Sequence, residues 1–326
     1  MRIPRRRFLQ LAAAAGGFAA LPRAAGAQSY PTRPVRIIVA TSAGGSTDIA
    51  ARVIGQWLTE RLGQSFVVEN RPGAGGNLAT EAVATASPDG HTLLLVNPGA
   101  AINPSLYAKL SYDAARDFTA VAQISKYPYL LMAHPALPAQ SLQGVIALAK
   151  AKPGFLNYAS AGLGTGTHVA MELLRQMAGI DIVHVPYKGG GPAAIAAMGG
   201  QVQLLAGTTI SNMAHVRAGR LRALAVTSSK RATAAPDVPT FAESGVPGYE
   251  YETWNGLLAP ARTPPAVVTK LNLEVNQVLA SAEVKKAYAN DGAETAGASA
   301  DAFAALIKAE TAKWAQVIKR AAIKPL

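Results

Sequence analysis

The sequence predicts an α/β fold in two lobes, each a mostly parallel sheet flanked by helices, with a cleft between the lobes. Short β-branched or apolar runs alternate with segments of helical periodicity along most of the chain, which is the pattern of such sheets. The 326 residues, half of them hydrophobic, suggest two domains rather than one. Turn-rich stretches at 127–138 and 235–248 divide the series, so we expect one lobe from 28–126 with 250–326 and another from 127–249.

The first lobe is expected to begin with a series of βα units. Its first helix has four apolar residues at the spacing of one helical face and a glycine C-cap at its end: Ile49, Val53, Trp57, Leu58 and Gly63. The turn sequence Ser87 to Gly90 separates the second helix from the third strand. The predicted strands are 35–40, 66–69 and 92–96, and the second helix is 78–86.

The second lobe continues the alternation, and the chain ends in helices. Strands are predicted at 156–160 and 182–185 and near Val202 and Leu224, with helices at 142–150, 168–177 and 192–198. Three further helices are predicted to pack back on the first lobe, at 265–279, 282–288 and 299–322. The chain therefore crosses between the lobes more than once.

The N-terminus predicts a cleavable export signal. Arg5, Arg6 and Arg7 precede Phe8-Leu9-Gln10 in a twin-arginine pattern, followed by a weakly apolar stretch that ends at Ala27. The alternative, a membrane anchor, needs about 20 mostly apolar residues, and this stretch is shorter. We therefore expect residues 1–27 to be removed on export to the periplasm.

Composition excludes several classes of function. Five arginines and no acidic residue lie within 1–27, so the formal charge of +12 falls by five, to +7, in the mature chain. The remaining basic residues are dispersed rather than arranged in stripes with aromatics, which argues against nucleic-acid binding. The absence of cysteine excludes thiol catalysis and thiolate metal sites. No catalytic residue, metal or cofactor is expected.

Two glycine-containing loops join a strand to a helix, one in each predicted lobe. The loops span 41–48 and 160–167, positions where open α/β sheets bind ligands. Amides at a helix start favour an anion, and each charge-assisted hydrogen bond to a carboxylate contributes about 1.5–3 kcal/mol before desolvation. The candidate ligand contacts are Thr41, Ser42, Ala43, Gly44, Gly45, Ser46 and Asp48 in the first loop, Ser160, Gly162, Gly164 and Thr165 in the second, and Thr208 after a later strand.

Simpler interpretations of these residues stay open. Hydroxyls at Ser46 or Thr47, and at Thr165 or Thr167, would serve equally well as helix N-caps. Asp48 either pairs with Arg52, four residues on, or faces the cleft. Trp254 is typical of a packing residue.

An exported enzyme is a competing hypothesis, because hydroxyl and histidine residues lie near the second loop. Replacing Ser160 or His168 would then abolish turnover. No nucleophile elbow, zinc motif or phosphate loop occurs in the sequence. His168 is more typical of a helix-start or packing residue.

The ordered motifs of the mature chain resemble the Bug-type extracytoplasmic receptors of tripartite tricarboxylate transporters. They include the first glycine loop with Asp48, the run Val68 to Gly76, Pro88 to Leu93, Pro186 to Gly189, and Trp254 to Leu257. Where that family usually has Pro and an aromatic residue, this chain has Ala40 and Thr41, and where many members carry Asp it has Gly207. These departures affect the expected pocket wall but not the fold.

The resemblance implies a type II periplasmic-binding-protein fold that closes on its ligand. It implies that the two loops hold a small carboxylate, partly through water, and that a monomeric receptor delivers it to the membrane permease subunits of a tripartite tricarboxylate transporter. In some members the partner is a signalling protein instead. The identity of the ligand does not follow from the motifs.

Overall fold

The computed structural model describes residues 30–290 and 292–320. The predicted signal 1–27 and the last two residues of the predicted final helix lie outside this part of the chain. Residues 30–32 lie outside the main unit, and the Tyr30–Pro31 peptide bond is cis. The architecture below is that of the unit beginning at Arg33.

Helices and strands alternate through most of this unit. The strands are β1 (Val35–Val39), β2 (Phe66–Asn70), β3 (Thr92–Val96), β4 (Phe118–Ala133), β5 (Asn157–Ser160), β6 (Val183–Pro186), β7 (Leu204–Thr208), β8 (Arg222–Val226), β9 (Glu252–Pro260) and β10 (Glu294–Thr295). The α-helices are α1 (Ser46–Leu62), α2 (Asn77–Ala84), α3 (Gly99–Leu106), α4 (Leu142–Ala151), α5 (Gly166–Ala178), α6 (Gly190–Met198), α7 (Thr209–Arg217), α8 (Pro265–Ala280), α9 (Ala282–Asn290) and α10 (Ala300–Arg320).

The strands follow the spatial order β2-β1-β3-β9-β4-β7-β5-β6. At one end, β1 lies parallel between β2 and β3, and at the other, β5 lies parallel between β6 and β7. The central pairs are antiparallel: β9 with β3 and β4, and β7 and β8 with β4. The α/β class and the two-lobed fold are confirmed, and the sheet is mixed because β4 and β9 run against their neighbours.

Strand β4 belongs to both halves of this arrangement. Its first part, Phe118 to Pro128, pairs with β9, and its last part, Tyr129 to Ala133, pairs with β7 and β8. The predicted lobe boundary between residues 126 and 127 falls inside this strand. The exact division of the chain into lobes stays a prediction.

Large side chains of the C-terminal helix α10 close the core. Phe303 and Trp314 are fully buried. The ring of Phe303 meets Trp254 edge to face at 5.5 Å, and Trp314 meets Tyr251 at 5.1 Å. Trp254 is therefore a packing residue, as predicted. Since α10 also contacts α3 and β4, the last helix packs back on elements from the first half of the chain, as expected.

Several elements were missed or misplaced by the sequence patterns. The last part of strand β4, which contains Pro128, was interpreted as a turn-rich stretch, its first part was not assigned, and α3 contains Pro104 within the helix. The largely polar α7 and the strand β9 have no amphipathic or alternating pattern to reveal them. The strand predicted near Val202 begins two residues later, at Leu204.

No described helix is long and apolar enough to cross a bilayer.

Candidate functional site

Two adjoining chambers lie between the two halves of the fold. The inner chamber has a volume of about 40 Å³ and is lined by Thr41, Gly45, Ser46, Thr47, Asn97, Tyr127, Tyr129, Ala161, Thr165, Thr167, Gly190, Gly207, Thr208 and Ser211. The outer chamber has a volume of about 230 Å³ and is lined by Ala40, Thr41, Pro72, Gly73, Ala74, Gly75, Gly76, Asn97, Tyr107, Ala161, Gly162, Leu163, Thr165, Pro186, Tyr187, Lys188 and Gly189. Four residues line both chambers, so together these form one cleft.

Four helices begin at the inner chamber. Ser46 and Gly190 are the first residues of α1 and α6, and Thr165 and Thr208 are the N-caps of α5 and α7. The first turn of each helix leaves amide hydrogens without a helical acceptor and carries partial positive charge. Among the described residues that line the chamber, none is acidic. The chamber therefore favours a small anionic group.

The two glycine loops have the same backbone geometry. Gly44 and Gly164 both have positive φ, 79° and 73°, and each donates its amide to the side chain four residues on. The acceptors are Asp48 Oδ2 at 2.9 Å and His168 Nδ1 at 3.2 Å. Both amides thus have acceptors in the helices that follow their own loops, and the expectation that Gly44 and Gly164 contact a ligand stays a prediction. The loops are stabilised by their own helices.

Asp48 adopts the first of its two proposed roles. The side chain is 3% exposed, and its carboxylate accepts hydrogen bonds from Arg52, from Asn70 and from the Gly44 amide. Burial opposes ionisation, but these hydrogen bonds outweigh it and lower the pKa of Asp48 below its ordinary value. Asp48 lines neither chamber, so it supports the first loop rather than facing the cleft.

Ser160 supports the second loop in the same way. It is fully buried, its Oγ lies 2.6 Å from His184 Nε2, and it accepts a hydrogen bond from the Gly162 amide. The rings of His184 and His168 stack at 4.1 Å. Burial lowers the pKa of His184 to about 3 and also lowers that of His168, so both rings are neutral at pH 7. The hydroxyl is thus enclosed and bonded within the protein, and contact of Ser160 with a ligand stays a prediction.

The helix-cap interpretation fails for both loops. The N-cap of α1 is Gly45, and Ser46 Oγ accepts a hydrogen bond from the hydroxyl of Tyr127 at 2.8 Å. Thr165 is the N-cap of α5, but its hydroxyl donates to the Gly162 carbonyl at 2.7 Å rather than capping an amide. These hydroxyls line the inner chamber while being oriented by the protein.

Of the twelve ligand contacts predicted from the sequence, half line the cleft and half do not. Six of them line the cleft: Thr41, Gly45, Ser46, Gly162, Thr165 and Thr208. Of the others, Gly164 packs against Leu106 and Asn103. Ser42 lies against Gly189 and Ala43 near Gly191, so these two belong to the contact between the loops of the two sheets.

Several lining residues were missed by the sequence analysis. Asn97 directly follows β3, so the rule that ligands bind beyond the carboxyl ends of strands would have found it. Tyr127 and Tyr129 lie on β4, which was not predicted as a strand. Thr41, one of the departures from the family pattern, has a buried hydroxyl with no hydrogen-bond partner in the described part of the chain. Unlike the other three residues, Thr41 was predicted as a ligand contact, and it lines both chambers.

Solved structures identify the class of protein that this fold defines. The periplasmic binding protein BugD matches with a TM-score of 0.87 and 34% identity, over 91% of this chain and 100% of that one. Rpa4515 of R. palustris, solved with adipate, matches with a TM-score of 0.89 and 39% identity over 91% and 100%. MatC of Rhodopseudomonas palustris, solved with malate, matches with 0.84 and 35% over 89% and 100%. The class is that of solute-binding proteins, which are not enzymes.

The family follows from the sequence itself. Residues 50–323 match the tripartite tricarboxylate transporter family receptor, TctC. The chain belongs to this family of periplasmic binding proteins, and the predicted resemblance to Bug-type receptors is confirmed.

Proposed function

We propose that this protein captures a small carboxylate in the cleft and delivers it to the membrane subunits of a tripartite tricarboxylate-type transporter. The supporting observation is the convergence of four helix N-termini on an inner chamber of about 40 Å³ that no acidic residue lines in the described part of the chain. Because one water needs about 10–15 Å³ of a volume measured in this way, the chamber has room for about three non-hydrogen atoms, the size of a carboxylate group rather than of a whole ligand.

The contacts that would hold the carboxylate come from both halves of the fold. Ser46 and Thr47 offer first-turn amides of α1, and Thr167 offers one of α5, since the helical hydrogen bonds begin only at Ile49 and Val169. The hydroxyl of Thr41 supplies a further donor. Adipate and malate in the related structures support the carboxylate class.

Binding can be tested by placing a negative charge in the cleft. Asn97 lines both chambers and accepts a hydrogen bond from the Gly99 amide, which an aspartate preserves. We expect Asn97→Asp to weaken carboxylate binding by more than about tenfold, because like charges brought together cost several kcal/mol. Calorimetric titration of residues 28–326 with mono-, di- and tricarboxylates measures this.

The matched control is Asn157→Asp. Asn157 also accepts a backbone hydrogen bond, from Gln203, but it lines neither chamber. The Asn157→Asp variant should bind carboxylates with the same affinity as the unmodified protein. Equal affinities for both variants, or no carboxylate binding by the unmodified protein, would contradict the proposal.

Export and delivery form the second part of the proposal. We infer that the twin-arginine signal is removed after Ala27, and the mass of the protein isolated from the periplasm of its own cells tests this cleavage. Deletion of the gene should abolish uptake of the bound carboxylate, whereas loss of a transcriptional response with uptake intact would indicate a signalling role.

A further inference from the structure

The outer chamber has a different chemical character from the inner one. Among its lining residues Lys188 is the charged one, and no acidic residue contributes to it. Much of its wall is apolar, formed by Ala40, Pro72, Ala74, Leu163 and Pro186. A hydrocarbon chain therefore fits against the wall, and an anionic group fits at Lys188.

The backbone around Lys188 is fixed at the boundary between the two sheets. The amide of Tyr187, the preceding residue, donates to the Ser160 carbonyl at 3.1 Å. The following residue, Gly189, packs directly against the side chain of Ser42. Lys188 has no ion-pair partner among residues 30–290 and 292–320. Its side chain is exposed at the cleft and available to a ligand.

The volumes decide how a ligand would lie. The inner chamber, about 40 Å³, accommodates one carboxylate, so the rest of the molecule extends into the outer chamber of about 230 Å³. A ligand anchored at the helix N-termini thus places its far end in the chamber that Lys188 lines.

We propose that Lys188 selects a ligand with a second anionic group at its far end and excludes one with an ammonium group there. This proposal rests on the proposed function, since it takes the first carboxylate to lie in the inner chamber. An ammonium group would face Lys188 without an acidic partner, because neither chamber is lined by one in the described part. The nearby acid of the first loop, Asp48, is already engaged by Arg52 and Asn70.

The experiment compares ligands of equal length with different far ends. Adipate, hexanoate and 6-aminohexanoate are titrated calorimetrically into residues 28–326, and shorter and longer sets of the same three types are included so that length is not decisive. We expect the dicarboxylate to bind best and the amino acid worst at the optimal length. Lys188→Met should weaken the dicarboxylate about fivefold, as a partly exposed ion pair predicts, and leave the monocarboxylate within about twofold.

Two further variants sharpen the result. Lys188→Glu should reverse the order of the dicarboxylate and the amino acid, which a purely structural effect would not do. Lys150→Met, an exposed lysine of α4 outside the cleft, should change nothing.

The possible failures are distinguishable. If carboxylates bind but Lys188→Met weakens all three types equally, or none of them, the role of Lys188 is refuted and the proposed function stands. If no carboxylate of any length binds, the proposed function fails and the role of Lys188 fails with it.

Discussion

Two residues at equivalent positions hold the two loops by different chemistry. Asp48 and His168 each accept the amide of the glycine four residues earlier. The buried carboxylate pairs with Arg52, whose own side chain is exposed, whereas the imidazole is buried neutral, which leaves Nδ1 able to accept. The first loop therefore depends on an ion pair, and the second on an uncharged histidine.

Acidification should destabilise the protein through the stacked histidines. Their pKa values are lower in the folded protein than the ordinary 6.5, that of His184 being about 3, so the unfolded chain binds more protons as the pH falls below 6.5. The stability that the neutral rings confer is complete above 6.5 and is lost as the pH falls toward about 3. Urea unfolding at several pH values should show a flatter dependence for His184→Gln, above all between 6.5 and about 5, where few carboxylates titrate. Identical slopes for the variant and the unmodified protein would contradict this.

The sequence could place the loops but could not assign every side chain within them. The spacing of Asp48 and Arg52 offered their ion pair as one of two alternatives, yet the partner Asn70 lies at the end of β2, which local spacing does not reveal. Ser160 was predicted to contact a ligand. Its partner in the structure, His184, lies on the neighbouring strand β6, and the sequence did not reveal this contact. Some candidate side chains thus have hydrogen-bond partners from distant parts of the sequence, which local spacing does not reveal.

Elements with a uniform pattern were predicted best. Strand β3 has the predicted bounds, 92–96, because it is an apolar run closed by turn residues. Strand β4 mixes Lys126 and Pro128 with apolar residues, since it changes pairing partners along its length. A strand that serves two sheets has no single periodicity for the sequence to display.

The first turn of α5 depends on a glycine for space rather than for its backbone conformation. A Cβ at Gly166 would overlap the hydroxyl of Tyr129 and approach that of Tyr251. Gly166→Ala should therefore lower the free energy of unfolding by about 1–3 kcal/mol, the usual cost of overpacking. Urea unfolding measures the change.

Gly144→Ala is the matched control in the first turn of α4. A Cβ there meets only ordinary contacts of 3.5 Å and beyond. Because alanine favours helix, this variant should be neutral or up to about 1 kcal/mol more stable. A Gly166→Ala protein as stable as this control would show that the tyrosines move aside.

At the scale of the whole molecule, loops from the two sheets touch across the cleft. Gly189 packs on the side chain of Ser42, and a Cβ on Gly75 would approach the carbonyl of Leu163. These contacts exist only while the two halves of the fold are close together. Between them runs β4, the strand that changes partners after Pro128.

Gly189→Ala should oppose this close approach. The added Cβ would overlap Ser42, so the closed form becomes rarer, and apparent affinity falls in proportion, about tenfold if that form becomes about tenfold rarer. Small-angle scattering should show less compaction on adding ligand. Gly248→Ala is the control, since it shares a positive φ but has open space around it. Equal losses in both variants would attribute the effect to backbone strain instead.

The convergence of four helix N-termini has an energetic consequence for the proposed closure of the cleft. Helix ends of the same polarity repel one another, so bringing the halves together is electrostatically unfavourable until a negative group lies among them. An anionic ligand attracts all four N-termini and offsets that repulsion, whereas a neutral molecule of the same shape does not. In the proposed closure of the cleft, discrimination between charged and uncharged solutes would therefore arise from the closing step itself.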